Sequence, residues 1–401
     1  MHPLSDATLR YSESLTPALL GLDALYAAEQ GKGEPGTGGD IERLVVLNMS
    51  TTHPPEDLAT YAAARERFGV LRRQSEALPE ADRRLYYRQV CDSAIAFATW
   101  REAGLPFPEQ ISRFLHVPAQ AATEVELNAI LADMRIVLTD LGYSGDLAAQ
   151  FRAWEERQRV SPDAVHGVID EMLSAGWDLT ADQMEIPAPK SDGMRVETVS
   201  GVPYNAMCDF SRRLIRLNID PILTMPGLRH LAVHEGYPGH YVQFKRREAG
   251  YAAGTSPADG LLSVVNTASS TTFEGIADCG MDIIGWHSEL DDRLGALLAR
   301  YRSGLGTRAA WRLHAEGWEP ARVREELLRD ALVGGEGWVD ARMRFISRHD
   351  RAALIWSYWH GEPTVSAVWS HVRDTPTRHS EYIGYVYDRM HSPQSIALFP
   401  A

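Results

Sequence analysis

The sequence has little of what would hold a chain in a membrane or cross-link it. No run of 18 or more apolar residues occurs, and a membrane-spanning helix needs about that length. The opening residues, MHPLSDATLRYSESL, lack a basic and an apolar segment, so we predict no signal peptide and a cytoplasmic location. The few, widely spaced cysteines favour free thiols over a disulfide framework: Cys91, Cys208 and Cys279.

Basic residues are also in deficit. The chain has 40 Lys and Arg against 54 Asp and Glu, and this net charge of −14 argues against a nucleic-acid partner. No Cys-x-x-Cys element offers a cysteine zinc site, and no phosphate-binding Gly-rich loop supports nucleotide hydrolysis. The 401 residues, 44% of them hydrophobic, can bury a sizeable core as one domain or two lobes.

Most of the chain carries apolar residues at helical spacing. The predicted helical segments of the N-terminal half are 17–31, 56–78, 81–104, 124–142 and 161–176. Those of the C-terminal half are 290–305, 307–317, 319–332 and the segment around 350–361. A glycine-rich loop is predicted at 31–40.

Two segments have the pattern of half-buried strands. Residues 194–199 and 212–219 alternate polar and apolar side chains, and turn-forming residues connect them. The second segment leads through a short Pro-containing loop into an apolar helical run. An exposed strand edge here could bind an extended peptide by strand addition, and a small structural hairpin is the alternative.

Residues 230–243, HLAVHEGYPGHYVQ, are the most informative stretch of the chain. His-Glu followed closely by His is how many zinc hydrolases supply two metal ligands and a general base. Here Pro238 occupies the position four residues after His234, where the usual H-E-x-x-H motif has its second histidine. His240 lies six residues after His234, so a regular helix would point the two rings apart.

Pro238 and Gly239 offer a way to bring the two rings together. Proline has no N–H to give to the His234 carbonyl, and glycine tolerates backbone angles that other residues avoid. We therefore predict a break or bulge at Pro238-Gly239 that places His240 beside His234. The rival chelating pair is His230 and His234, four residues apart. Histidines near a helix end are also often solvated, which would leave no metal site.

Two carboxylates further along suit the same site. Glu274 and Asp278 stand four residues apart among apolar or small neighbours, so a helix would place them on one face. Unpaired carboxylates are rarely buried in such surroundings. Glu274 then suits a third metal ligand, and Asp278 suits an outer carboxylate that orients a ligand histidine. A solvated acidic helix face is the alternative.

These motifs resemble those of a known family. HEGYPGHYVQ resembles the HExxPGHHxQ signature of the bacterial family catalogued as domain of unknown function 885, whose members are regarded as relatives of the gluzincins. Gluzincins are zinc metallopeptidases with a downstream glutamate ligand. Further resemblances follow in family order over roughly residues 195–375: FEGIAD, the H-x-x-G-W pattern at 314–318, RFI at 344–346 and SYWHG at 357–361.

The chain also departs from the family pattern. Tyr241 replaces the second His of PGHH, which leaves His240 as the available ligand. Ile276 replaces the Trp of the family's EGWA segment, and His349-Asp350-Arg351 replaces Pro-Gly-Gln. These changes are compatible with a metal site that uses His240. They do not allow the substrate to be inferred from the family.

Periodicity and resemblance together predict a mainly α fold. The expected architecture is a large helical metallopeptidase-like fold with a small β-hairpin or sheet beside the metal-binding helix. Residues 1–190 are predicted as an N-terminal helical region, and residues 191–401 as a metal-binding catalytic region integrated with it.

The predicted cofactor is one Zn²⁺ per chain, held by His234, His240 and Glu274, and another divalent metal would fit the same ligands. Glu235 is predicted as the general base that takes a proton from the metal-activated water. Asp278 is the predicted outer carboxylate.

Three further site residues follow from family position and chemistry. Tyr358 and His314 are candidates to stabilise the oxyanion of the tetrahedral intermediate. Arg344 is a candidate to bind a substrate carboxylate through its planar guanidinium, and a structural ion pair is its alternative role.

The predicted function is that of a zinc-dependent metallohydrolase, carboxypeptidase-like or oligopeptidase-like. Its partner would be a peptide or small amide substrate, with neither nucleic acid nor membrane involved. Two alternatives stay open. One is a biosynthetic or tailoring enzyme that acts on a small non-peptide molecule, with a pocket remodelled at the positions that depart from the family. The other is a non-catalytic binding protein on the same scaffold.

Overall fold

The computed structural model describes residues 3–30, 43–286 and 289–400, and it is mainly α-helical with small sheet elements, as predicted; the described residues form two small sheets. The loop predicted at 31–40 lies outside the described residues. The helices of the N-terminal half are α1 Asp6–Glu29, α2 Tyr61–Ser75, α3 Ala81–Ala103, α4 Phe107–Leu115, α5 Glu124–Asp140, α6 Leu147–Gln158 and α7 Val165–Gln183. Those of the C-terminal half are α8 Met225–Leu231, α9 His240–Ala252, α10 Ser270–Asp278, α11 Gly280–Ile283, α12 Leu290–His314, α13 Pro320–Asp330, α14 Gly335–Ile346, α15 Ile355–Trp369, α16 His379–Tyr387 and α17 Pro393–Ile396.

Side-chain caps decide where two of these helices begin. The Thr123 hydroxyl accepts the Glu126 N–H at 3.2 Å, and the Glu126 carboxylate accepts the Thr123 N–H at 2.7 Å, so α5 starts where the sequence predicts. The Ser5 hydroxyl caps α1, which therefore begins well before the predicted start at residue 17. Pro17 lies inside α1 and does not begin it.

Gly306 has a different role from the one its sequence position suggests. The sequence pattern separates 290–305 from 307–317, but α12 continues through both segments. A Cβ atom on Gly306 would lie 2.7 Å from Cγ1 of Ile355. The glycine therefore permits close packing of α12 against the start of α15 and does not end a helix.

The three-stranded sheet differs from a simple hairpin of the two predicted strands. Strands β2 Arg195–Val199 and β4 Leu214–Asn218 are parallel, and β3 Ala206–Asp209, within the predicted connection, pairs antiparallel with β4. The strand order is β2-β4-β3, so the central strand β4 has no open edge. The hairpin is formed by β3 and β4, which are consecutive and antiparallel. Strand β4 then lies parallel to β2 on its other edge.

A second, two-stranded sheet joins distant parts of the chain. Strand β1 Val45–Asn48 pairs antiparallel with β5 Leu262–Val264. None of the described helices is both long and apolar enough to cross a membrane.

The chain forms two compact units, and each unit is discontinuous in sequence. The first contains residues 1–119, 243–276 and 360–401, and the second contains residues 120–242 and 277–359. Each unit therefore includes residues from both sides of position 190, where the sequence analysis divides the chain.

Each unit has a core of buried aromatic side chains. In the first unit, Tyr11 packs against Tyr87 with ring centroids 4.7 Å apart. In the second unit, the indole N–H of Trp154 donates to Asp291 at 2.7 Å, and that of Trp356 donates to the Gln120 carbonyl at 2.9 Å. The indole N–H groups of these two buried tryptophans are thus hydrogen-bonded within the core.

Candidate metal centre

The His-Glu motif lies in a turn that is wider than an α-helix. Helix α8 is capped by the Thr224 side chain and continues into residues Ala232–Gly236, here called the wide turn. The Tyr237 N–H donates to the Ala232 carbonyl, five residues back, at 3.3 Å. Such π-type turns are often found at functional sites. The irregularity thus begins six residues before the Pro238-Gly239 break that the sequence predicts.

At Gly239 the backbone lies very close to the carbonyl groups of the wide turn. Its N–H donates to the Val233 carbonyl at 3.0 Å. A Cβ atom at this position would lie 1.8 Å from the carbonyl oxygen of His234. Only glycine fits such an approach, and it lets α9 begin at His240 directly beside the wide turn.

The structure brings the two motif histidines together. The rings of His234 and His240 have centroids 4.6 Å apart and meet nearly edge to face, whereas those of His230 and His234 lie 5.7 Å apart. Both His234 and His240 are buried. The chain interruption between the wide turn and α9 therefore restores a neighbouring pair that a regular helix would separate.

Asp278, near the end of α10, holds His234 in a fixed orientation. Its Oδ1 lies 2.8 Å from Nδ1 of His234 and 3.4 Å from Nε2 of His230. Burial raises the pKa of this carboxyl, but the two adjacent imidazoles outweigh burial and hold the pKa well below its usual range. An ionised Asp278 accepts the Nδ1–H of His234, which fixes the tautomer in which Nε2 carries the lone pair of the ring.

Two groups of potential ligand atoms come together among the described residues. In each group the ligand atoms all lie within 4.8 Å of one another: His230, His234 and Asp278, and His234, His240 and Glu274. All three members of the second group are buried, whereas His230 and Asp278 are partly exposed. Glu274 lies one turn before Asp278 on α10, so both carboxylates share a helix face.

The general-base candidate Glu235 lies in the wide turn and is buried. Strand β3 packs against this turn. Burial raises the pKa of the Cys208 thiol well above its usual range, and the charge of Glu235 raises it further. Burial likewise raises the pKa of the Tyr204 hydroxyl, to which Glu235 makes a small contribution. Sequence analysis missed both neighbours, because they lie in a segment with the composition of a turn.

Tyr241 faces away from the two histidines. Its hydroxyl donates to the Asp192 backbone carbonyl at 3.0 Å, and its ring packs against Tyr237, Phe210 and Trp177. The side chain is fully buried in this aromatic cluster. Of the two adjacent positions in the family's PGHH element, the first is therefore the one that faces His234 in this chain.

Arg344 forms the structural ion pair that the sequence analysis gives as its alternative role. Its guanidinium donates to the carboxylate of Asp220 at 3.4 Å and to the Val202 carbonyl at 3.3 Å. Asp220 also accepts the Gly201 N–H at 2.8 Å. Through these two bonds, Arg344 links the loop after β2 to the segment after β4.

The two oxyanion candidates differ in their surroundings. Nε2 of His314 lies 2.6 Å from the Ile346 carbonyl, so this nitrogen is already a donor to the backbone. Burial lowers the pKa of His314, which favours the neutral ring with Nδ1 as an acceptor. Tyr358 is half-buried on α15, near Arg342, whose pKa burial lowers to about 10.

Comparison with known proteins relates the chain to others by fold only. No protein-family model matches the chain, and no curated protein matches it. The solved structure of a "putative lipoprotein" from Colwellia psychrerythraea has a TM-score of 0.54 and 14% identity, and the match covers 84% of this chain and 68% of that one. That of a "putative lipoprotein of unknown function" from Shewanella oneidensis has a TM-score of 0.50 and 13% identity, covering 94% and 76%.

Proposed function

We propose that this protein is a zinc-dependent hydrolase that cleaves a peptide or a related amide bond. The observation that carries the proposal is the buried group of His234, His240 and Glu274, with ligand atoms within 4.8 Å of one another. The sequence resemblance to gluzincin relatives supports the same assignment. The two solved structures support the fold alone, since their identities are 13% and 14%.

The donor set fits zinc. Two imidazoles and one carboxylate are the ligand types of catalytic zinc sites, and three protein ligands leave a further position open. The Asp278 carboxylate fixes the His234 tautomer through Nδ1, which is the outer contact that zinc histidines commonly have. A bound zinc ion would polarise a water molecule and the substrate carbonyl.

Glu235 is the proposed general base. It follows His234 directly in the chain, so it addresses a different side of the site. Its carboxylate would accept a proton from the attacking water and return it to the leaving amine. Tyr358 is the better oxyanion donor of the two candidates, because the Nε2–H of His314 is donated to Ile346.

The rival group of His230, His234 and Asp278 fits catalysis less well. If Asp278 were a ligand, His234 would lose the carboxylate that now orients it at 2.8 Å. Nε2 of His230 also lies toward that same Asp278 oxygen, at 3.4 Å. We therefore assign His230 to the surroundings of Asp278 and not to the metal.

A remodelled pocket for a non-peptide substrate has less support from the positions that depart from the family. Tyr241 and Ile276 are 0% and 1% exposed, so these side chains belong to the packed interior. Arg351 pairs with Asp350 at 3.2 Å and is also buried. At Tyr241, Ile276 and Arg351 the departures are therefore changes in the packed interior, and peptide or amide hydrolysis remains our preferred function.

Replacement of Glu235 tests the proposal. Gln keeps the size of the side chain but does not accept a proton at neutral pH. We expect about one zinc per chain in both wild type and Glu235→Gln, purified without chelator or metal-affinity tag. We also expect turnover of peptide and small-amide substrates to fall about 10²–10⁴-fold in the variant. Elemental analysis and a substrate panel measure the two quantities.

The control is Glu171→Gln on the exposed face of α7, which should retain both zinc and turnover. A wild-type protein that neither contains nor binds zinc would rule out the proposed function. A Glu235→Gln variant that loses zinc would make Glu235 a ligand. A variant that keeps both zinc and full turnover would require a different base.

A further inference from the structure

Gln243, the last residue of the motif at 230–243, is neither a proposed ligand nor a proposed catalytic residue. It is fully buried on α9. Its side-chain N–H donates to the backbone carbonyl of Phe273 on α10 at 3.1 Å. Phe273 immediately precedes Glu274, the proposed third ligand, so this bond holds the peptide that leads into that residue.

Arg247 fixes the orientation of the Gln243 amide. Its Nη2 donates to Oε1 of Gln243 at 3.0 Å, so the amide oxygen is occupied and the amide N–H₂ must face Phe273. The guanidinium also lies over the Phe273 ring, 5.5 Å from its centroid. Among the described residues, Nε and Nη1 of Arg247 have no hydrogen-bond partner. The hydrogen bond of the buried Arg247 guanidinium is therefore the one that it donates to Gln243.

The spacing along α9 places these side chains on one face. His240, Gln243 and Arg247 stand at positions i, i+3 and i+7, which recur on the same side of a helix. The face that begins with a proposed ligand thus continues with the two residues that contact α10. A buried arginine and a buried glutamine are costly in a core, and the hydrogen bond between Arg247 and Gln243 lowers that cost for both side chains.

Helix α10 is also fixed beyond Glu274. A Cβ atom on Gly275 would lie 2.2 Å from the carbonyl oxygen of Gly361 on α15. A Cβ atom on Gly361 would lie 2.8 Å from the backbone nitrogen of Gly275. The two glycines therefore allow backbone contact between α10 and α15. Glu274 lies between this contact and the hydrogen bond from Gln243.

We propose that Gln243 and Arg247 are positioning residues for Glu274. Through the hydrogen bond to the Phe273 carbonyl, they fix the position of the peptide group before Glu274. The contact between Gly275 and Gly361 fixes the position of the peptide group after it. This inference rests on the proposed function, because Glu274 needs a fixed position only if it binds the metal.

Zinc affinity of purified variants tests the proposal. Gln243→Met keeps the volume and removes the donor to Phe273, and we expect zinc to bind about 10-fold or more weakly, as for other residues that support ligands. Gln243→Glu keeps the contact with Arg247 but has no donor for the carbonyl, and it should show a similar loss. If Gln243→Met does not fold, the zinc affinity of Gln243→Glu tests the proposal. Arg247→Lys, which keeps a cationic donor, should retain more affinity than Arg247→Met.

A matched control separates positioning from general destabilisation. Gln89 is a buried glutamine of the same unit, bonded to Gln394 and Ser392. Gln89→Met should lose comparable stability in urea unfolding and bind zinc like wild type. Folded Gln243 variants with wild-type zinc affinity would overturn the positioning role alone. A wild-type protein that binds no zinc would overturn the proposed function and this inference with it.

Discussion

Asp278 lies near both His230 and His234, and the two distances suggest different roles for these histidines. His234 lies at hydrogen-bonding distance through Nδ1, while His230 is further away and 26% exposed at its side chain. A histidine anchored through one ring nitrogen presents the other in a fixed direction, as a metal ligand requires. The ring of His240 lies 4.6 Å from that of His234, centroid to centroid. This geometry is the reason why we propose His234 and His240, and not His230 and His234, as the chelating pair.

Single alanine substitutions test this distinction. His240→Ala removes a proposed ligand, so zinc affinity measured by competition with a chromophoric chelator should fall by orders of magnitude. His230→Ala leaves the proposed ligand set intact and should change affinity far less. The pair serves as mutual control, because both residues flank the same wide turn. Loss of zinc in His230→Ala with retention in His240→Ala would assign the metal to the i,i+4 pair.

At the scale of elements, the interruption between α8 and α9 brings together the two histidines of the proposed site. The wide turn moves the chain off the α-helical path, and Gly239 returns α9 to within contact of the His234 carbonyl. Strand β3 packs against the turn, and the charge of Glu235 acts on the Cys208 thiol of that strand. The site therefore depends on backbone that has little room to move.

Gly239→Ala tests that dependence. The new methyl group would overlap the His234 carbonyl at 1.8 Å, so the start of α9 must shift. We expect a loss of about 1–3 kcal/mol in the free energy of unfolding, as overpacking commonly costs, together with weakened zinc binding. Urea unfolding and zinc titration measure the two effects.

The control for that substitution is Gly167→Ala in α7, where a methyl group meets nothing within 4 Å. Alanine is the better helix former, so this variant should gain up to about 1 kcal/mol. Wild-type stability and zinc affinity in Gly239→Ala would show that the α8–α9 junction can relax without affecting the site.

At the scale of the whole molecule, the proposed ligands link segments that are distant in sequence. His234 and His240 come from the α8–α9 junction and Glu274 comes from α10. A ligand that binds only the folded chain stabilises it by mass action. The unfolded chain does not hold these three residues together, so zinc should favour the folded state.

Thermal unfolding provides the test. Free zinc at ~1,000-fold above its dissociation constant should stabilise the fold by about 4 kcal/mol and raise the midpoint of unfolding in calorimetry. Chelation should reverse the rise, and His234→Ala should not show it. Magnesium, which prefers all-oxygen ligands, is the control ion. An equal rise in His234→Ala would place the stabilising zinc elsewhere in the chain.

The sequence by itself determined the mainly helical character and the set of candidate ligands. Helix periodicity is local, so segments such as 81–104 and 124–142 closely match α3 and α5. The spacing of Glu274 and Asp278 is also local, and both lie on α10 as predicted.

Only the tertiary structure decided what depends on distant partners. Strand β3 has too few residues to show a strand pattern and exists because it pairs with β4. The direction of Tyr241, the pairing of Arg344 with Asp220 and the bond from Gln243 to Phe273 all join segments separated along the chain. A local pattern shows which side chains are available, and packing between distant segments decides which of them meet.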